Sequence, residues 1–332
     1  MQDYKKGLQI QDFQQLGDYA EAGLLATELA LDRAQQALSL GRIPVAGAAV
    51  ARQTHGQLRI IAVGNNGRIP GASDLHGYPT DHGETAAIRK IGDVAGIDWS
   101  QVVFATTLSP CLMCNRSLLY LHTLGLNKIT CAAGQAQGFE GTIEQFKDMG
   151  FQVVSLNVQE GVDLMNAFAK KYPWDWAADI GEIPPAHPAE LAAMPVNPTR
   201  LRDLMEQALA LINPKAERYP LAALVVDHRG QVISRAADER DRVSGNPVFS
   251  SVMLAMGRAG SEVNLRDCLV MIGAGSEAGE IGLEEFGHAS LGACELFRPA
   301  WVVSNHPLSR KVSGPLNAAH VKIQNLSNLD AT

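Results

Sequence analysis

Cysteine is scarce in this chain of 332 residues: five in all, an odd number, which argues against a disulfide framework. No stretch approaches the ~20 consecutive apolar residues that a membrane helix needs. Residues 1–17 are polar and mixed in charge, without the apolar core of a secretory leader. A cytoplasmic location is therefore expected, with no membrane partner. Basic charge is also in deficit. There are 28 Lys and Arg against 35 Asp and Glu, a formal net charge of -7. That balance argues against a broad phosphate-binding surface and so against a nucleic-acid partner. What is present is ordinary for a globular protein, 46% apolar and 19% charged residues. At roughly 100–200 residues per domain, the length suggests two domains.

Apolar residues recur with helical spacing over 22–39, and Gly41 stops that helix. Residues 44–50 and 58–63 read as a hairpin around the polar turn at His55-Gly56. Residues 64–80, rich in Gly, Asn and Pro, read as a loop. His82 opens a helical pattern through Lys90, 102–107 is a strand, and Pro110 starts a further helix at the first-turn position that proline favours. Short strands are expected at 129–133 and 152–156, and a helix at 159–171. Strands alternating with helices imply an α/β fold with helices layered on the sheet. Five prolines (Pro184, Pro185, Pro188, Pro195 and Pro198) mark residues 183–199 as a semi-rigid linker.

Beyond the linker the pattern repeats. After a helix at 201–212, Pro220-Leu221-Ala222-Ala223-Leu224-Val225-Val226 echoes Pro44-Val45-Ala46-Gly47-Ala48-Ala49-Val50, and Arg229-Gly230-Gln231-Val232 echoes His55-Gly56-Gln57-Leu58. The helix at 250–260 falls where 82–92 falls in the first half. This alignment puts Ser250 in the place of His82 and Val252 in that of Glu84. No Pro-Cys-x-x-Cys occurs in the second half, which reads as a copy of the fold without the chemistry.

The chemistry concentrates in His82-Gly83-Glu84 and Pro110-Cys111-Leu112-Met113-Cys114. Cysteines three apart share one helical face, and thiolates are favoured at a helix N-terminus. Two thiolates and an imidazole fill three tetrahedral positions of zinc and leave the fourth for water, as in a catalytic site. The donor set favours zinc, one per chain. Taken singly, each part has a plainer reading. The cysteines could be buried or redox thiols. Asp81 could cap the helix, with Glu84 completing a capping box. Together they form the zinc nucleobase-deaminase signature, in which the metal acidifies a water and an unligated glutamate, here Glu84, moves the protons.

Over residues 20–182 the chain resembles the fungal-type cytosine deaminases of the cytidine/cytosine deaminase superfamily. The resemblance rests on Gly83 between His and Glu, on Thr107-Leu108-Ser109-Pro110-Cys111 with Met113 and Cys114, and on the tail Asp175-Trp176-Ala177-Ala178-Asp179-Ile180-Gly181-Glu182. It implies a three-layer α/β/α domain in 1–182, the linker 183–199, and a degenerate copy in 200–332. It also implies a substrate pocket: Trp176 over the ring, Asp179 at the amino group, Asn66 on the ring edge, Val45 as an apolar wall, and Gly83, Ser109 and Phe139 as further contacts. Trp176 equally suits a core aromatic, Asn66 a turn residue and Asp179 a helix cap. Phe139 aligns one residue away from the family's second aromatic, and the 67–81 loop is longer than its counterpart. The expected reaction is hydrolysis of cytosine, as free base, to uracil and ammonia. Guanine, isocytosine or a pterin are the alternatives as substrate, and a non-catalytic zinc-binding protein is the alternative of another class. The family's homodimer suggests that the second copy replaces a partner subunit in an intramolecular pseudo-dimer, a homodimer of whole chains being the other possibility.

Overall fold

The computed structural model describes residues 7–69, 77–134, 142–275 and 279–327. The chain divides into two compact units, residues 1–75 with 81–176 and residues 76–80 with 177–332. No helix among the described residues is long and apolar enough to cross a membrane.

The first unit carries strands β1 (Ala46–Arg52), β2 (Leu58–Asn65), β3 (Val102–Thr106), β4 (Lys128–Cys131) and β5 (Gln152–Ser155). They form one sheet in the order β2-β1-β3-β4-β5. β1 runs antiparallel to β2 and β3, whereas β3, β4 and β5 are parallel. Helices α1 (Ala20–Ser39), α2 (Gly83–Ile91), α3 (Leu112–Thr123), α4 (Thr142–Asp148) and α5 (Gln159–Lys171) complete it, and the division between the units falls within α6 (Pro173–Asp179), after Trp176. Period-two alternation divides the sheet's faces. Ala48, Val50, Val103 and Ala105 point to α1 and share a core with its Ala26, Ala30 and Leu31. The opposite face receives α2. A 3₁₀ segment, Ile10–Tyr19, precedes α1. It was not expected from the sequence, yet it buries Phe13 and Leu16 in the same core.

The second unit carries α7 (Pro198–Leu209), β6 (Leu221–Asp227), β7 (Val232–Ala237), α8 (Ser251–Ala259), β8 (Cys268–Ala274), α9 (Leu283–Phe286), α10 (His288–Phe297), β9 (Trp301–Ser304), α11 (Arg310–Ala318) and β10 (Lys322–Asn325). Its sheet, β7-β6-β8-β9-β10, has the strand order and directions of the first. The correspondence reaches single residues. A bulge interrupts β1 between Ala49 and Val50, and β6 between Val225 and Val226. α2 and α8 are both nine residues long, after His82 and Ser250 in extended conformation. α7 lays Leu201, Leu204 and Met205 on Leu224, Val226, Leu269 and Met271 of the sheet.

The proline-rich segment does not stand free. Leu191 and Val196 join the core of the second unit. The backbone N–H groups of Ala186 and His187 donate to the Asp267 carboxylate at 2.9 and 3.0 Å. It turns once at residues 188–191, and its few apolar side chains fix it to the surface that they reach.

Candidate active site

Two helix N-termini bring the signature together. His82 precedes the first residue of α2, with extended backbone, and Cys111 does the same for α3. Cys114 follows within the first turn of α3. Pro110 lies two residues before the first helical residue, Leu112, and not at it as expected, because the first helical bond of α3 runs from the Asn115 N–H to the Cys111 carbonyl at 2.7 Å. The ligating atoms of His82, Cys111 and Cys114 lie within 4.8 Å of one another, and all three residues are buried. His82 Nδ1 is 3.2 Å from Cys111 Sγ.

Close approach of α2 to the sheet sets this arrangement. A Cβ on Gly83 would stand 2.4 Å from the Ala46 Cα, and one on Gly64 would stand 2.2 Å from the Ala87 amide nitrogen. Asp81 does not cap α2; its carboxylate pairs with Arg89 at 2.8–2.9 Å. Thr85 takes the capping role, accepting the His82 N–H at 2.9 Å. Glu84 is therefore not needed by the helix end and turns inward. Its Oε1 accepts the Thr106 hydroxyl at 2.6 Å, and its buried Oε2 makes no hydrogen bond.

Burial lifts the Glu84 carboxyl above the usual carboxylate range, and charge on Cys111 adds to the lift, while the Thr106 hydroxyl pulls the other way. Burial also opposes ionisation of Cys111, but the Cys114 thiol and the His82 ring outweigh it and hold Cys111 well below the ordinary thiol range. Burial and Cys111 push Cys114 well up. The other cysteines are ordinary core thiols: burial pushes Cys131 and Cys268 up to about 12, and Cys294 higher still. A negative charge thus belongs at the Cys111–Cys114 pair, and a bound dication would stabilise both sulfurs as thiolates.

The matches to known proteins follow this geometry. The model of the cytidine and deoxycytidylate deaminase zinc-binding region matches residues 23–131. A cytosine deaminase of Candida albicans is 33% identical over 155 residues, which are 47% of this chain and 94% of that protein. The chain belongs to the cytidine/cytosine deaminase superfamily. It is a zinc-dependent hydrolytic deaminase that acts on C–N bonds. Among solved structures, a tRNA deaminase that edits A to I at the wobble position is 22% identical, at a TM-score of 0.32 over 42% of this chain and 99% of its own. A dCMP deaminase of cyanophage S-TIM5 is 20% identical, at a TM-score of 0.26 over 39% of this chain and 98% of its own.

The deaminase's donor set suits zinc. It offers two sulfurs and one imidazole, with a buried carboxylate oxygen left without a hydrogen bond next to them. The other expected pocket residues are placed as follows. Val45 is buried in an apolar cluster with Leu108, Ile43 and Phe168, and Trp176 packs half-buried against the same cluster. Asn66 is buried, and its carboxamide oxygen accepts the Arg68 N–H at 2.9 Å, so it does serve its own turn. The Ser109 hydroxyl donates to the Gly134 carbonyl at 3.0 Å. Asp179 is buried at the end of α6 and is counted with the second unit. Phe139 lies outside the described residues.

Sequence reasoning missed Thr106, whose hydroxyl holds Glu84 and also lies 2.5 Å from the Leu108 carbonyl. The alternation along β3 was the available signal. Val103 and Ala105 face α1, so Thr106 faces α2.

Proposed function

We propose that the first unit hydrolyses the exocyclic amino group of a free nucleobase, with His82, Cys111 and Cys114 holding zinc and Glu84 moving protons. The reading is carried by one observation: the Glu84 carboxyl is buried beside the three metal donors, with Oε1 held by Thr106 and Oε2 uncommitted. Zinc held there supplies Lewis acidity, which lowers the pKa of a water molecule to about 7.

Glu84 Oε2 takes a proton from the attacking water and passes it to the ring nitrogen of the substrate. Water oxygen bonds to the amino-bearing carbon as this happens. Glu84 then carries the second water proton to the amino group, the C–N bond breaks, and ammonia leaves with a ring carbonyl behind it. Burial, by raising the Glu84 pKa, brings the carboxyl closer to the working pH, which suits a group that must both take and give protons. Thr106 is a positioning residue: it fixes one carboxylate oxygen so that the other faces the reacting atoms.

Cytosine is the best single substrate. The Candida albicans relative, a cytosine deaminase, is matched over 94% of its length. The cluster of Val45, Leu108 and Trp176 offers an apolar surface suited to a flat ring, and Asn66, Ser109 and Gly83 are read as polar or backbone contacts. Five unpaired cysteines and no long apolar helix among the described residues agree with a cytoplasmic setting. We read the second unit as the fused counterpart of a partner subunit, on the strength of its matching strand order; the full chain should then sediment as a monomer. Ammonia release from the zinc-loaded protein is the test, against cytosine, isocytosine, guanine, adenine, a pterin and cytidine. Turnover of cytosine alone supports the reading. Turnover of another base keeps the chemistry and moves the specificity to the 67–81 loop.

A further inference from the structure

Among the described residues, one other cluster of metal-ligating side chains lies outside this site: His187, Glu190 and His228, all in the second unit. Their candidate donor atoms fall within 4.8 Å of one another. Glu190 is the hub. Its Oε1 is 3.6 Å from His187 Nδ1, and its Oε2 is 3.3 Å from His228 Nε2. Donors bound to zinc at ~2.0–2.1 Å in a tetrahedron stand about 3.3–3.4 Å apart. The two imidazoles are stacked, with ring centroids 4.1 Å apart and planes 26° from parallel.

The three residues come from two segments far apart in sequence, and both are anchored. The Leu191 N–H donates to the His187 carbonyl at 3.2 Å, a single turn that puts His187 and Glu190 on one side. The same turn is fixed by the bonds from Ala186 and His187 to Asp267, and by Trp301 and Lys322 donating to the Leu191 carbonyl. His228 sits in the β6–β7 hairpin loop. Asp227 holds that loop by accepting the N–H groups of Arg229 and Gln231 at 2.9 and 2.8 Å.

We propose that His187, Glu190 and His228 form a second metal site, for a borderline divalent cation such as zinc, which clips the proline-rich segment to the β6–β7 hairpin. Two imidazoles and one carboxylate exclude magnesium and calcium, which take oxygen ligands. The half-exposed Glu190 leaves a fourth position to water. Such an ion binds the folded second unit and not its unfolded chain, so it stabilises that unit by mass action.

The test is titration of the metal-stripped full chain with Zn²⁺ against a chromophoric chelator. The wild type should take two equivalents. His228→Ala and Glu190→Gln should each weaken one of them by about 10–100-fold or more, since losing even an outer-shell partner costs that much. Glu190 is exposed, so its variant should fold whatever befalls the His228 variant. In a Cys111→Ser, Cys114→Ser double variant the clip equivalent should remain, which separates this site from the proposed catalytic one. The proposal is overturned if the Cys111→Ser, Cys114→Ser variant takes up no equivalent, or if both single variants bind as many equivalents as the wild type with unchanged affinity.

Discussion

The two units build the same corner and fill it differently. In the first, the Asn66 N–H donates to the Val45 carbonyl, and the Arg68 N–H to the Asn66 side chain. In the second, Asp238 and Arg240 make the same two bonds, to Leu221 and to the Asp238 side chain. There Ser250 replaces His82, and its hydroxyl meets that of Ser290 at 2.7 Å. Val252, fully buried, replaces Glu84. The Arg240 guanidinium donates to both Asp238 carboxylate oxygens at 2.9 Å, and to the carbonyls of Glu284 and Glu285. It also lies 3.8 Å from the centre of the Tyr219 ring. Each of these polar side chains has a partner within the unit. In the first unit, by contrast, Glu84 Oε2 is buried with no hydrogen bond. Such an atom calls for an explanation, and the metal donors beside it supply one. The difference separates a corner kept for chemistry from one converted to structure.

The largest effect expected from testing this contrast lies in the second unit. Asp238→Asn should destabilise the protein by about 3–5 kcal/mol, because it strands the buried Arg240 charge. Replacing both residues, with Asp238→Leu and Arg240→Met, should recover only part of the loss in chemical denaturation, because the Arg240 and Ser251 N–H groups and the Glu284 and Glu285 carbonyls also lose these partners. If the single variant melts like the wild type, the Asp238–Arg240 pair does not hold that corner.

In the first unit, Gly83→Ala drives a methyl into the Ala46 backbone and should cost about 1–3 kcal/mol. The counterpart change, Ser251→Ala, removes no such tight contact and should cost less in the same melting assay.

A smaller effect is expected from Thr106→Val. The Thr106 hydroxyl lowers the Glu84 pKa, so its loss raises that pKa further. Activity that needs the carboxylate rises with pH through this pKa. The acid limb of the kcat/KM profile should therefore move to higher pH, by up to about 1 unit for one ordinary hydrogen bond. A purely structural role for Thr106 would lower activity without moving the limb.

Much of this was legible in the sequence. The α1, α2 and β3 patterns, the repeat, and the convergence of His82, Glu84, Cys111 and Cys114 follow from spacing, because side chains three residues apart share a helix face and helix N-termini favour thiolates. What was not legible depends on tertiary contact. Asp81 looked like the cap of α2 until Arg89 claimed its carboxylate. The loop expected at 64–80 begins two residues later, since Gly64 and Asn65 pair with Gly47 and Ala46 in the sheet. The α6 helix holding Trp176 gave no periodic signal in seven residues. The role of Thr106 needed the register of β3 beside α2, and the Asp238–Arg240 pair needed the fold of the second unit.

The most direct test of the central claim is ammonia release by Glu84→Ala, with zinc content measured on the same sample. Zinc should stay at the wild-type level, because Glu84 is not among the three donors, and turnover should fall by at least about 10²-fold. Wild-type turnover in that variant at equal zinc would contradict the account, since proton transfer would then lie with some other residue.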